Sequence, residues 1–95
     1  MEKGYNSDIH INGNLFHVQT EDWGPELKIL ITRVFKNGAV INSFKTPYQQ
    51  IIPTIPLSIP ESRPRLREAL RNQHKKILDL LQNGQLLYEK AKIKG

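Results

Sequence analysis

Two histidines lie close together in the sequence and carry side chains that can bind a metal ion. His10 and His17 lie on either side of Asn12-Gly13, with Asp8 nearby. Two imidazoles and a carboxylate are the minimum ligand set of a catalytic zinc or non-haem iron site. However, neither a His-x-His nor a His-x-x-x-His spacing fixes two ligands locally. Outward polar residues of a half-buried strand give the same pattern, so we rank a metal site at His10 and His17 third among the functional hypotheses and expect no bound metal.

The sequence offers no other catalytic constellation. It contains no cysteine, no Gly-x-Ser-x-Gly segment and no glycine-rich phosphate-binding motif. These absences predict a protein that is not an enzyme and needs no cofactor. A chain without cysteine is typical of a reducing compartment. The N-terminus lacks the apolar stretch of a secretory signal, and no apolar run approaches the roughly 18 residues of a membrane span. We therefore expect a cytoplasmic protein with no membrane partner.

A stripe of basic residues is the strongest surface signal in the chain. Arg63, Arg67, Arg71 and Lys75 recur at a spacing of four, which places them on one side of a helix. Residues 1–60 hold five basic and five acidic residues, whereas 61–95 hold nine basic and four acidic, so the net charge of +5 lies in the second part. The stripe can bind an acidic protein or the phosphates of a nucleic acid. No aromatic residue interleaves it, which favours the protein partner. Ordinary solvation is the remaining alternative.

Two Asn-Gly turns predict the sheet that carries these residues. Apolar and polar residues alternate on both sides of Asn12-Gly13 and again around Asn37-Gly38, which is the usual signature of a two-residue hairpin. We expect strands near 7–12, 14–21, 27–36 and 39–46. In the first hairpin one face carries the core residues Ile9, Ile11, Phe16 and Val18. In the second, the expected opposite pairs are Phe35 with Val40, Arg33 with Asn42, and Ile31 with Phe44.

The second hairpin is apolar on both faces. One face carries Ile29, Ile31 and Phe35, and the reverse face carries Leu30, Val34 and Ile41. A strand pair with two apolar faces needs a cover on each side. We therefore expect the helix to pack on the first face and a second copy of the chain to cover Leu30, Val34 and Ile41 in a homodimer.

The rest of the chain completes a single α+β domain over residues 1–95. Asp22 to Glu26 reads as a loop, in which Trp23 is either a partner-binding anchor or a lid on the sheet. Residues 47–61 contain four of the six prolines and are expected to be an extended connector. An amphipathic pattern predicts a helix over 62–83 with Ser62 as its N-cap and Asn83-Gly84 at its end. Residues 85–95 form a basic tail.

Several phrases resemble a family of small, uncharacterised bacterial domains of the delta-proteobacterial type. They are Phe16-His-Val-Gln-Thr-Glu-Asp22, Thr32-Arg-Val-Phe-Lys-Asn-Gly38, Lys45-Thr-Pro-Tyr48 and Gln73-His74-Lys75, within residues 5–84. The resemblance implies a bacterial regulatory or scaffolding context and brings no known activity. The polar residues that match are Thr20, Glu21, Asp22, Lys45, Thr46, Tyr48, Gln73 and His74. We expect Glu21 and Asp22 to meet the Lys45-Thr-Pro-Tyr48 corner and to tie the sheet to the helix by hydrogen bonds.

Together these features predict a non-catalytic protein-interaction module. The expected partner is an acidic protein that contacts Trp23 or the stripe of Arg63, Arg67, Arg71 and Lys75. Nucleic-acid binding through the same stripe is the second hypothesis.

Overall fold

The chain forms a four-stranded antiparallel sheet with one long helix across one of its faces. The computed structural model describes residues 4–51 and 59–84. The elements in chain order are β1 (Tyr5–Ile11), β2 (Asn14–Asp22), α1 (Gly24–Leu27), β3 (Ile29–Lys36), β4 (Ala39–Pro47), α2 (Tyr48–Ile51) and α3 (Ile59–Gln82). The strands follow one another in the sheet in the order β1-β2-β3-β4. The predicted α+β class and the meander of two hairpins are confirmed.

Both Asn-Gly turns have the left-handed backbone that a tight hairpin requires. The φ angles are 50° and 81° at Asn12 and Gly13, and 51° and 86° at Asn37 and Gly38. Positive φ at both central residues defines the type I′ turn, whose twist matches that of the flanking strands. Asparagine and glycine tolerate this conformation better than other residues do, so the sequence sets these turns locally.

A β-bulge in the second hairpin changes the predicted register. Phe35 faces Val40 as expected, but the pairs that follow are Val34 with Asn42, Arg33 with Ser43, and Thr32 with Phe44. The predicted pairs of Arg33 with Asn42 and of Ile31 with Phe44 are therefore wrong. Ile41 is the extra residue on β4. Because side chains alternate between faces, one extra residue moves Phe44 to the opposite face, where it packs against the core.

The helix α3 covers the face of the second hairpin that we expected to be open. Leu30 and Val34 are fully buried, at 0% exposure, and Ile41 packs on the same core. The prediction of a free dimer face at Leu30, Val34 and Ile41 is wrong, because these residues form the core beneath α3. The expected core residues Ile29, Ile31 and Phe35 alternate with them and lie on the outer face, where Ile31 is buried, at 3% exposure, and Ile29 and Phe35 are half-buried. Val18 on the core face of the first hairpin pairs with Val34 of the second, so the two hairpins share one continuous core face.

Two apolar clusters lie between α3 and the sheet. One contains Phe16, Val18, Val34, Ile77 and Leu81, and the other contains Leu30, Tyr48, Leu66 and Leu70. The helix residues of both clusters follow the predicted three-to-four spacing. Since the early residues of α3 pack beside Leu30 and the late ones beside Phe16, the helix runs along the strands.

Two connecting segments and the start of the long helix differ from the prediction. The predicted loop at 22–26 contains the helical turn α1, and the predicted extended connector at 47–61 contains α2 and the start of α3. The helix begins at Ile59, before Ser62, because Pro60 is tolerated in a first turn; Pro64 lies inside it and removes one backbone hydrogen bond. Gly84, with a φ of 76°, follows the helix end as predicted. Residues 52–58 and the basic tail 85–95 lie outside the described residues.

None of the described helices is long and apolar enough to cross a membrane. The long helix α3 is amphipathic, and its apolar side is used against the sheet.

The assignment of faces predicts which leucine supports the fold. Replacing the buried Leu30 with alanine should lower the free energy of unfolding by about 2–5 kcal/mol, because it leaves a cavity in the core. The matched change at Leu27, which is 62% exposed, should cost no more than about 0.5 kcal/mol. Urea denaturation of both variants measures this difference, and equal stabilities would contradict the buried position of Leu30.

Candidate functional site

A belt of hydrogen bonds crosses the sheet beneath α3, between the two apolar clusters. Each strand supplies one hydroxyl group, and α3 supplies Gln73 and His74. The bonds join Ser7 Oγ with His74 Nε2 (2.8 Å), His74 Nδ1 with Thr20 Oγ1 (2.7 Å), Thr20 Oγ1 with Thr32 Oγ1 (2.9 Å), Thr32 Oγ1 with Gln73 Nε2 (2.8 Å), and Gln73 Oε1 with Thr46 Oγ1 (2.6 Å). Buried polar groups need such partners, so the belt allows polar side chains inside the core.

One direction of donation gives every threonine hydroxyl in the belt an acceptor. Thr46 donates to Gln73, Gln73 donates to Thr32, and each threonine then donates to the next group until Thr20 donates to Nδ1 of His74. His74 Nε2–H then donates to Ser7 Oγ. This direction requires a neutral imidazole, because a protonated ring has no acceptor nitrogen. Burial lowers the pKa of His74 below its ordinary value of 6.5, and the charge on His17 lowers it further. The neutral form is therefore the one that fits.

A second buried hydrogen-bond pair ties the end of β2 to α2. The hydroxyl of Tyr48 and the backbone N–H of Gly24 both donate to Asp22 Oδ1, the latter at 2.8 Å. The predicted contact between Asp22 and the Lys45-Thr-Pro-Tyr48 corner is confirmed. The matching prediction for Glu21 is wrong: its carboxylate accepts from Arg33 at 2.5 Å. Successive strand residues point to opposite faces, so Glu21 lies on the outer face when Asp22 lies in the core.

The belt sets the rotation of α3 about its own axis. His74 bonds to β1 and β2, whereas its neighbour Gln73 bonds to β3 and β4. With about 100° between successive residues of a helix, Arg67 and Arg71 then lie on the same flank as His74. That flank faces β1, and both arginines line one depression with Tyr5 of that strand.

The predicted basic stripe is exposed along its whole length. Arg63, Arg67, Arg71 and Lys75 are all solvent-exposed. The depression beside β1 has a volume of about 320 Å³ and is lined by Tyr5, Pro64, Arg67, Glu68 and Arg71. Arg63, Arg71 and Lys75 form no ion pair with another residue in the described ranges 4–51 and 59–84. Arg63, Arg71 and Lys75 therefore present positive charge to solvent, and Glu68 is the acidic residue among those that line the depression.

Trp23 lies on the opposite side of the sheet from this stripe. Its ring stacks on the guanidinium of Arg33, 5.7 Å from the ring centroid, and its backbone N–H donates to Ile29. Arg33 is on the outer face, whereas α3 covers the other one. The structure thus brings together the four basic residues of the helix and does not bring Trp23 to them. The half-buried indole lies against Arg33, which forms the ion pair with Glu21.

The two histidines of the possible metal site also lie on the outer face. His17 Nδ1 donates to Asp8 at 2.6 Å. His17 and Asp8 border a depression of about 330 Å³, which is also lined by Leu15, Gln19, Phe35 and Asn37-Gly38. Within the ranges that the structure describes, no three His, Cys, Asp or Glu side chains converge so as to hold a metal ion. A metal at His10 and His17 therefore lacks a third protein ligand among these residues.

Sequence reasoning missed Ser7 and Thr32 in the belt and Tyr5 beside the stripe. A signal for Ser7 was present. It shares a face of β1 with Ile9 and Ile11, and a hydroxyl in an apolar face indicates a buried hydrogen bond. Thr32 shares a face of β3 with Leu30 and Val34, and the expectation that α3 leaves this face open hid its role. Tyr5 has no local signal, since only packing brings it to α3.

The corner at Asp22 gives a test with a matched control. Changing Tyr48 to phenylalanine should lower the free energy of unfolding by about 1–3 kcal/mol, because it removes a hydrogen bond from a buried carboxylate. Changing Glu21 to glutamine should cost no more than about 1 kcal/mol, since its ion pair with Arg33 is partly exposed. Chemical denaturation of both variants checks the order, and a larger loss at Glu21 would contradict the role of Asp22.

The neutral His74 predicts a dependence of stability on pH. The pKa of His74 in the folded state lies below the ordinary value of 6.5 that it has in the unfolded state. At a pH between the two pKa values, the unfolded state therefore binds more protons than the folded state. Stability is then fully present above about pH 6.5 and falls as the pH decreases, by at most about 1.4 kcal/mol per pH unit.

If the titration of His74 is the source of this slope below about pH 6.5, the variant His74→Gln should reduce the slope, and His10→Gln on the outer face should keep it. Urea midpoints measured across this range give both slopes. A wild-type slope that survives in His74→Gln would contradict the assignment.

Compared with models of protein families, with curated proteins and with solved structures, the chain shows no match. The resemblance to small bacterial domains stays a prediction.

Proposed function

We propose that this chain is a non-catalytic protein-interaction module of a bacterial cytoplasm, and that it binds an acidic surface of a partner protein. The observation that carries the proposal is the exposed row of Arg63, Arg67, Arg71 and Lys75 on a helix that the buried belt holds in one orientation. The helix that carries these like charges is already held in place. Binding of a complementary surface therefore does not have to order the backbone first, which lowers the entropic cost of binding.

The distribution of charge supports this proposal. Residues 63–82 of α3 contain six basic and two acidic residues, whereas residues 1–60 are balanced. Such a localised excess raises the rate of association with an oppositely charged partner and makes it sensitive to salt. Arginine is also the residue that forms paired hydrogen bonds with carboxylates. Three of the four positions in the stripe are arginines.

Nucleic acid is the competing ligand for the same row of charges. Its phosphates would release counterions on binding, and the affinity would fall steeply with salt. Tyr5 is the aromatic residue that lines the depression at Arg67 and Arg71. A single ring beside the stripe is a poor platform for stacked bases, which favours the protein partner.

Binding of a labelled 20-residue poly-glutamate peptide and of a 20-base-pair DNA duplex tests the proposal. The double variant Arg67→Glu/Arg71→Glu should weaken peptide binding at about 100 mM salt by tenfold or more. The control Arg65→Glu/Lys76→Glu changes the net charge equally on other positions of the same helix and should weaken it by less than about threefold, since distant charges are screened over about 10 Å. Fluorescence anisotropy measures both affinities.

Two results would overturn the proposal. The first is the absence of any peptide binding by the wild-type protein at low salt. The second is duplex binding that persists at about 150 mM salt and is lost only in the Arg67/Arg71 variant, since this would assign the stripe to nucleic acid. Equal losses of duplex binding in both variants are expected, because non-specific association follows net charge.

A further inference from the structure

The two edges of the sheet differ in how they are protected from a further strand. The edge strand β4 has a bulge at Ile41, a lysine at position 45 and a proline at position 47. Bulges, lysines and prolines are the devices by which proteins prevent an exposed edge from pairing with another chain. The edge strand β1 has none of them. Its seven residues include no proline or lysine, and they pair with β2 in an unbroken register from Tyr5 to Ile11.

The edge without a bulge, lysine or proline is also the one beside the basic stripe. Tyr5 of β1 lines the same depression as Arg67 and Arg71. Further along the strand, Ile9 and Ile11 are only partly buried and pack against the core together with Leu78 of α3. The junction of β1 and α3 therefore carries a net positive charge at the Tyr5 end, where Glu68 accompanies the two arginines, and apolar side chains at the Ile11 end. Within the described part of the chain no strand pairs with the outer edge of β1.

We propose that an extended acidic segment of the partner protein adds to β1 as a fifth strand. Its backbone pairs with the outer edge of β1, two of its carboxylates bind Arg67 and Arg71, and aliphatic side chains contact Ile9 and Ile11. This inference rests on the proposed function and specifies the shape of the partner. Strand addition of this kind takes its affinity from main-chain hydrogen bonds and its specificity from alternate side chains.

The spacing of the two arginines fits alternate residues of a strand. Arg67 and Arg71 are one helical turn apart, a rise of about 6 Å along α3. Alternate residues of a strand are separated by about 6.8 Å and point to the same face. Since α3 runs along the strands, an added strand can place two carboxylates, separated by one residue, opposite the two arginines. The residues between them would point to the outer face, beside Asn6 and Asp8.

A designed peptide provides the probe. It contains nine residues, Thr-Ile-Thr-Ile-Thr-Glu-Thr-Glu-Thr. When the peptide pairs antiparallel with β1, its isoleucines and glutamates share one face. A control peptide of the same composition places the glutamates and isoleucines on both faces. Two further versions carry N-methyl groups on alternate backbone amides, one set for each edge of the peptide, and only one of the two edges can pair with β1.

We expect the designed peptide to bind at least tenfold more tightly than the control peptide. One N-methylated version should lose at least tenfold in affinity, and the other should bind like the unmodified peptide. Bound peptide should slow amide hydrogen exchange in Tyr5–Ile11 and leave the exposed edge of Ala39–Pro47 unchanged. The variant Arg67→Glu/Arg71→Glu should lose at least tenfold in affinity, whereas Arg65→Glu/Lys76→Glu should lose less than about threefold. Circular dichroism confirms that both variants fold.

The outcomes separate this inference from the proposed function. If poly-glutamate binds through Arg67 and Arg71 but both N-methylated peptides bind like the unmodified one, strand addition is wrong and the acidic-partner function stands. Protection of β4 in place of β1 would likewise overturn the inference. If neither poly-glutamate nor the designed peptide binds at low salt, the proposed function itself fails.

Discussion

The hydrogen-bond belt beneath α3 is the constraint on which the rest of the structure depends. It crosses all four strands and places polar groups in a core that is otherwise apolar. An unpaired buried polar group costs more than a hydrogen bond gains, so the belt tolerates one arrangement of its members. A helix held by leucine contacts alone can rotate or slide at small cost. Gln73 and His74 reach different halves of the sheet, and their bonds therefore fix both the rotation and the axial position of α3.

The rotation of α3 decides what the outside of the molecule presents. The side of the helix that carries Leu66 and Leu70 packs on the sheet, and the flank next to β1 carries Arg67 and Arg71. Arg67 and Arg71 are thereby placed beside the strand edge that has no bulge, lysine or proline. Charge and backbone hydrogen-bonding groups lie on the same side of the molecule. A surface of this composition is the basis for proposing an extended acidic partner.

The bulge at Ile41 has consequences on both sides of β4. It turns Phe44 toward the core, and it interrupts the regular edge that β4 would otherwise expose.

The outer face of the sheet carries both apolar and charged side chains. Leu15 and Val40 are 42% and 52% exposed there, and the pairs of Asp8 with His17 and of Glu21 with Arg33 lie among them. This mixed polar and apolar face is typical of the solvated side of an antiparallel sheet.

The sequence by itself determined the local features: two Asn-Gly hairpins, the core face of the first hairpin, the apolar side of the helix and the basic stripe. Each depends on residues that are neighbours along the chain, where backbone preference and periodicity act directly. Only the tertiary structure decided which face of the second hairpin the helix covers, because that hairpin is apolar on both faces and a bulge shifts its register. Packing likewise decided that the stripe lies beside β1 and that Trp23 lies opposite. Such placements depend on contacts between residues far apart in sequence, which no local pattern encodes.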